Sequence, residues 1–410
     1  MNPQTLFYIL IGILVLNFTK ETILGLLNAK HFKDELPEEL RDIYDLREYK
    51  KSQLYKKENH LFSLLKNAFS LTATLLFFWT QGFFHLDTFV RSLTANEISI
   101  SLIFLGILLF VSDLIYTSFS YYKTFVIEEK FGFNKTTKKL FFMDKLKGWL
   151  LLLFLGVPLL YAITWLYLKS GSLFWIYTWI LLSIFSLFLN LFYSSIIVPL
   201  FNKQSPLEEG VLKTKLEHFA LKVGFKLDKI FVIDGSKRSS KANAYFSGFG
   251  SKKRIVLYDT LIQDLSTDEI IAVFAHEVGH NKRKHLYYNI LLSILFTGLT
   301  LFILSVLINN PLLSASLDLS LPSFHIGIVV FSILYTPISE FTGMLLNIVS
   351  RTFEYQADNY AKENSNAIDL IQALKKLSKK SLSNLTPHPT SVFLYYSHPT
   401  LLKRIKNLKK

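Results

Sequence analysis

The chain has 410 residues, half of them hydrophobic, with 37 Phe and 20 Tyr, yet it carries 45 Lys and Arg against 31 Asp and Glu, a formal net charge of +14. It has no cysteine, which excludes a thiol nucleophile, a cysteine-held metal site and a disulfide framework. Apolar runs alternate with basic segments, so the charge is read as a membrane-topology and lipid-facing signal, and no nucleic-acid partner is expected.

Runs able to cross about 30 Å of hydrocarbon, at roughly 20 residues each, are predicted near residues 4–18, 62–85, 98–118, 149–168, 172–200, 286–309 and 324–349. The first is short. MNPQTLFYIL lacks a basic n-region and LLNAK is a poor cleavage site, so this segment is read as a retained helix rather than a signal peptide. Lys and Arg number nine in 19–61, seven in 119–148 and eleven from Arg351 to the end, and 201–285 is densely basic. By contrast, 86–97 has only Arg91, 169–171 only Lys169, and 310–323 none. That alternation puts the N-terminus outside and the large loop and C-terminus in the cytoplasm.

The soluble material is one insert, 201–285, and a tail, 350–410. Within the insert, KIFVIDG (229–235), AYFSGFG (244–250) and RIVLYD (254–259) read as short strands separated by Gly, Ser, Lys and Asn. Ser266-Thr-Asp-Glu269 is a capping box that starts a helix, with Leu265 and Ile270 as its staple. Gly279 is tolerable and no Pro appears before 311, so this helix is expected to run straight into the span at 286.

His276 and His280 then lie one turn apart on one face, and with Glu277 they make H-E-x-x-H: two imidazoles for a zinc ion and a carboxylate to take a proton from its water. The bland alternative is a polar collar at a lipid interface. A catalytic zinc wants a third protein ligand. Arg283 and Leu286 stand where an extended H-x-x-G-x-x-H motif would need Gly and His, and His285 is read as a surface or interfacial residue. Helix length points to Glu354: His280 to 309 and 324 to Glu354 are legs of about 44 and 45 Å, joined by a short outer loop, so both residues return to one depth. Asn347, Arg351, Glu354 and Asp358 share a polar face, and Asp358 is placed to orient a ligand imidazole. A seven-helix transporter or receptor is the competing class, but its ionisable candidates inside the membrane are few, chiefly Asp113 and Glu340.

HEVGH (276–280), SRTFEYQAD (350–358), SSKANAYFSGFGSKKRIVLYDTLI (239–262) and YSHPTLLKRI (396–405) together resemble the Ste24-type CAAX prenyl proteases, integral-membrane M48 zinc metalloproteases. ELRDIYDLREYKKSQLY (39–55), FVIEEKFGFNKTT (125–137) and PLFNKQSPLEEG (199–210) extend the resemblance over essentially the whole chain. It implies a mostly α, polytopic protein with about seven transmembrane helices enclosing a chamber, and a small α+β gluzincin-type catalytic domain on the cytoplasmic side. The domains expected are an N-terminal membrane region, 1–200, and a peptidase domain, 201–410, that includes the last two spans.

The resemblance also implies one Zn²⁺ per chain on His276, His280 and Glu354, with Glu277 as the general base. Asp358 matches a position described as proton donor or supporting carboxylate, and support is favoured. Asn243 matches a substrate-binding residue on an exposed strand edge, and His398 and Arg404 match positions credited with oxyanion stabilisation and substrate contact. His388-Pro389 and Tyr395-Tyr396-Ser397-His398 depart from the pattern of many members, which touches subsite preference rather than chemistry. The substrates implied are membrane-associated proteins or peptides, prenylated ones included, cut by a monomer in the lipid bilayer. The compartment is a bacterial inner membrane or, in a eukaryote, the endoplasmic reticulum. Processing or turnover of membrane proteins without a prenyl requirement is the alternative.

Overall fold

A computed structural model describes residues 1–32, 38–42, 44–227, 229–247 and 254–410. The N-terminal part is helical: α1 (Pro3–Ala29), α2 (Leu46–Trp79), α3 (Gly82–Leu93), α4 (Glu97–Tyr122), α5 (Lys138–Leu151), α6 (Val157–Ser170), α7 (Phe174–Phe192) and the short α8 (Val198–Phe201). The insert holds β1 (Gln204–Pro206), α9 (Val211–Lys222), β2 (Lys229–Ile233), β3 (Ala244–Ser247), β4 (Arg254–Tyr258), α10 (Asp259–Asp264) and α11 (Thr267–Lys282). Then come α12 (His285–Leu307), α13 (Pro311–Ala315), α14 (Phe324–Leu334), α15 (Thr336–Asn364), α16 (Ala367–Lys380), α17 (Pro389–Tyr395) and α18 (Leu401–Lys409).

Among the described residues, five helical runs are long and apolar enough to cross a membrane, or six when the bent pair α14 and α15 counts as one. One run, Lys138–Phe201, has 64 residues; at 1.5 Å per residue a straight helix of that length would measure about 96 Å, three times the hydrocarbon thickness. It doubles back at Gly171, whose φ of 52° only glycine adopts readily, and α6 packs on α7. The run therefore contains both spans expected at 149–168 and 172–200.

Two expectations of straight helices fail. The helix that carries His276 and His280 does not flow into the next span: α11 stops at Lys282, Lys284 takes a left-handed φ of 60°, and α12 starts at His285. The span expected at 324–349 is bent by 58° at Tyr335, where Pro337 opens the first turn of α15. Both legs from the 310–323 loop are broken, yet they keep matched residue counts, and His280 still meets Glu354.

Only 6–17 % of each of the five runs' most apolar window is buried within the protein, so those spans meet along seams and do not fill a solid bundle. Between α7, α12 and α15 lies a cavity of about 620 Å³, whose wall includes Asn289, Ser293, Thr297, Thr300, Thr342 and Asn347 and which reaches Ser397. Thr300, Thr342 and Asn347 in this wall each donate to a backbone carbonyl, which satisfies their polarity within the protein. At the end of the spans that holds 86–97 and 310–323, the sole cation of 86–97, Arg91, is tied to Asp87, Glu97 and Ser323, while buried His325 bridges Asp87 (2.7 Å) and Ser101 (3.1 Å). This end has its own apolar cluster, drawn from Leu6, Leu10, Phe104, Leu313 and Ile326.

The sheet order is β1-β2-β4-β3, with β2 and β4 parallel and the outer pairs antiparallel. The three expected strands are present but shorter: β2 ends at Ile233 rather than Gly235, β4 ends at Tyr258 because Asp259 opens α10, and β3 covers Ala244–Ser247, 248–250 lying outside the described residues. Short β1 was not foreseen. Ile255 and Leu257 of β4 join Phe274, Ala275 and Val278 of α11 and Leu370 and Ile371 of α16 in one core beneath the sheet. A fully buried Ile, Leu or Phe of this kind contributes about 1.5–3 kcal/mol, so the core fixes α11 against β4 and α16.

Candidate metal centre

The capping box forms as expected: Ser266 Oγ accepts from the Glu269 amide and Glu269 accepts from the Ser266 amide. From this anchored start α11 runs three turns to His276. Gly279 explains how close its partner comes, because a Cβ there would lie 3.1 Å from both Cα and O of Ala357. The bare glycine lets α11 and α15 approach to backbone contact. His276 and His280 thereby face Glu354 and Asp358, all but His280 being buried.

Two hydrogen-bond chains set the tautomers of the histidines. His276 Nδ1 stands 2.9 Å from Asp358 Oδ1 and donates to it. His285 Nε2 donates to Gln356 Oε1 at 2.8 Å, which leaves its Nδ1 to accept from His280 Nδ1 at 3.0 Å. Both Nε2 atoms therefore carry lone pairs, and they face each other across 3.2 Å. Glu354 adds Oε1 at 3.3 Å from His280 Nε2 and Oε2 at 3.6 Å from His276 Nε2. Oε2 is buried without a hydrogen-bond partner. The three ligand atoms lie within 4.8 Å of one another. Three acceptors with no proton between them repel unless a cation sits among them, so this donor set fits a metal ion.

His285 was the residue that sequence reasoning missed. It is 2 % exposed rather than at the surface, and it stacks on Phe353 at 4.1 Å between ring centres. The left-handed turn at Lys284 folds it back onto His280. A histidine five residues past a ligand, next to an αL turn, was the available signal.

Asp358 is fully buried and bidentate with Arg404, whose Nε and Nη2 lie 2.9 and 2.6 Å from its oxygens. Arg404 is thus held by a carboxylate, and Nη1 reaches to 3.5 Å from Glu354 Oε2. His398 is largely exposed and sets Nε2 3.2 Å from Glu354 Oε1. The rest of the α15 polar face secures its segment: Asn347 donates to the Leu394 carbonyl at 2.8 Å and Arg351 to the Tyr396 carbonyl at 2.6 Å.

Asn243, Glu277, His276, His280, Glu354, His398 and Arg404 share a cavity of about 200 Å³. Burial in this cleft pushes the Glu277 carboxyl above the ordinary glutamate range, while the two imidazoles pull it back. Asn243 is exposed just before β3, its side chain accepting from the Ala244 amide, and β3 is, among the described residues, one of the two edge strands of the sheet. Asp113, one of the two membrane carboxylates weighed for a transport path, pairs with Lys145 and Trp149 at 2.8 and 2.9 Å; Glu340 pairs with Lys20.

A cation site that opens on a strand edge, at the foot of membrane helices, is the arrangement of a membrane metallopeptidase. Residues 206–410 match the peptidase family M48 and residues 26–203 match the family described as CAAX prenyl protease N-terminal, five membrane helices. The chain belongs to peptidase family M48. It is 37 % identical to the CAAX prenyl protease 1 homolog of Oryza sativa subsp. japonica, over 97 % of this chain and 95 % of that one. Identity with the CAAX prenyl protease 1 of Saccharomyces cerevisiae is 37 %, covering 91 % and 88 %, and with the homolog of Homo sapiens 33 %, covering 95 % and 92 %. The crystal structure of S. mikatae Ste24p superposes with a TM-score of 0.94 at 35 % identity, over 99 % of both chains.

Proposed function

We propose that this protein is a zinc-dependent endopeptidase that cuts prenylated Cys-a-a-X proteins near their C-terminus, at the cytoplasmic face of the membrane, as a monomer. The observation that carries this reading is the cluster of His276, His280 and Glu354 acceptors opening on the cavity beside β3. Zinc is the cation proposed because two imidazoles and one carboxylate are the donor set of a catalytic zinc site, and His276, His280 and Glu354 would hold it. Bound there, zinc supplies an acidified water and polarises the scissile carbonyl.

The chain's own residues do the rest. Substrate lies along β3 as an added strand, with Asn243 at its start, so main-chain bonds align the peptide. Glu277 takes the proton from the attacking water and passes it to the leaving amine. Asp358 holds the His276 ring through Nδ1, and Arg404 holds Asp358. His398, exposed on the cavity side of Glu354, is the donor for the developing oxyanion. The distribution of Lys and Arg supports a cytoplasmic site, in an inner membrane or an endoplasmic reticulum.

An isoprenoid would concentrate the substrate at the bilayer, and the names of the relatives favour such a substrate. The test compares one peptide with and without its farnesyl chain, beside an unmodified membrane protein. Cleavage restricted to the farnesylated peptide is expected. Equal cleavage of both peptides would leave a broader membrane endopeptidase.

A further inference from the structure

Tyr49, Ser52, Gln53 and Lys56 recur at helical spacing on α2 and are all buried, an unusual composition for an inward face. Gln53 is 1 % exposed and Lys56 7 %. Among the described residues neither the Lys56 ammonium nor either amide atom of Gln53 has a hydrogen-bond partner, and Lys56 makes no ion pair. The ammonium only lies over the Tyr49 ring, 5.9 Å from its centre. Burying a cation and an amide unpaired is costly, and an anion that joins them from outside the chain removes the cost.

Position says which anion. Tyr49 belongs to the apolar core that includes Leu370, with Leu374 and Leu377 packed against it. Those three leucines also wall the cavity that holds His276, Glu277 and Glu354. The far end of α16 is fixed to both sides: Lys376 pairs with Glu269 on α11 (2.7 Å), the Ser378 carbonyl accepts from Tyr44 (2.9 Å), and Lys379 pairs with Glu48. From Glu269 to His276 is about 10 Å of helix, so the α16 anchor at Lys376, beside Leu377 of the wall, stands about that far along α11 from His276, and α16 meets α2 just beyond it, at Lys379 and Glu48. Three residues of extended peptide span roughly 10 Å. The residues released from a Cys-a-a-X chain are three, and they end in a carboxylate.

We propose that Lys56 and Gln53 form the subsite for the free C-terminal carboxylate of the substrate, so that the cut is positioned from the chain end. The ammonium supplies the charge and the Gln53 amide N–H a second bond. Apolar a-a side chains would lie against Leu370, Leu374 and Leu377. This rests on the reading that the enzyme cuts near a C-terminus.

The test uses the full chain in detergent and one farnesylated peptide made as the free acid and as the C-terminal amide. The intact protein is expected to favour the acid by about 10- to 100-fold in kcat/KM, the effect of one charge-assisted hydrogen bond. Lys56→Met and Lys56→Gln should bring that ratio close to one, and Lys56→Arg should keep most of it. A ratio near one in the unaltered protein overturns the proposal. So does an equal loss on acid and amide in folded Lys56 variants, which is what a merely structural lysine would give. A second arm separates this idea from the reading beneath it: the a-a-X tripeptide, as acid or amide, is tested as an inhibitor of cleavage of an unmodified internal reporter. Stronger inhibition by the acid, lost in Lys56→Met, supports the subsite even if no prenylated peptide is cut. Equal inhibition by both forms overturns it.

Discussion

Replacing Asp358 by Ala should weaken metal binding and destabilise the fold by separable amounts. The carboxylate makes two kinds of contact: one bond of 2.9 Å to His276 Nδ1 and two, of 2.6 and 2.9 Å, to Arg404. Losing the first frees the ring of a metal ligand to rotate or change tautomer, which costs about 10- to 100-fold in affinity, or about 1.4–2.7 kcal/mol. Losing the second leaves a guanidinium only 11 % exposed with no anion closer than Glu354 Oε2 at 3.5 Å; breaking a buried pair costs up to about 3–5 kcal/mol. Adding Arg404→Met to Asp358→Ala removes the stranded cation. The double variant should therefore regain much of the thermal stability and none of the lost metal affinity. Chelator competition reads the affinity and unfolding in detergent reads the stability. If Asp358→Ala leaves affinity unchanged, or if the double variant restores it, Asp358 is not the residue that orients His276.

Glu277→Gln should retain the metal, because the three donors are intact, while peptide hydrolysis falls to background; full turnover would remove Glu277 from proton transfer. Topology is checked by single cysteines in this cysteine-free chain. Ser314, inside the predicted outer loop, is only 2 % exposed and would label poorly, and Ser251 lies outside the described residues. Exposed Ser320 and Ser205 serve better: with the N-terminus outside, Ser320→Cys should react with an impermeant reagent in intact cells and Ser205→Cys should not, and the reverse would invert the protein.

Most of the donor cluster was legible because it is local or periodic. The capping box fixes where α11 starts, i and i+4 spacing pairs the histidines, and matched leg lengths select Glu354. What was not legible depends on tertiary contact. Lys284 carries no Gly or Pro signal, yet its left-handed turn ends α11 and lets His285 stack on Phe353 and reach Gln356. The bend before α15 was signalled by Pro337, but a long apolar run hid it. Arg404 was singled out only through the resemblance, as an oxyanion or substrate contact, since nothing in YSHPTLLKRI itself shows that its fork closes on Asp358. The unpaired polarity of Gln53 and Lys56 was hidden in a segment that reads as an ordinary basic loop.

The most direct measurement is metal content together with cleavage for the purified chain and its Glu354→Ala and His280→Ala variants. One zinc per chain is expected in the unaltered protein, with activity lost to a chelator and restored by zinc. Both variants should lack metal and activity while keeping a folded membrane domain. Stoichiometric zinc in either variant, or cleavage that persists in the chelator, would contradict a metal centre built from His276, His280 and Glu354.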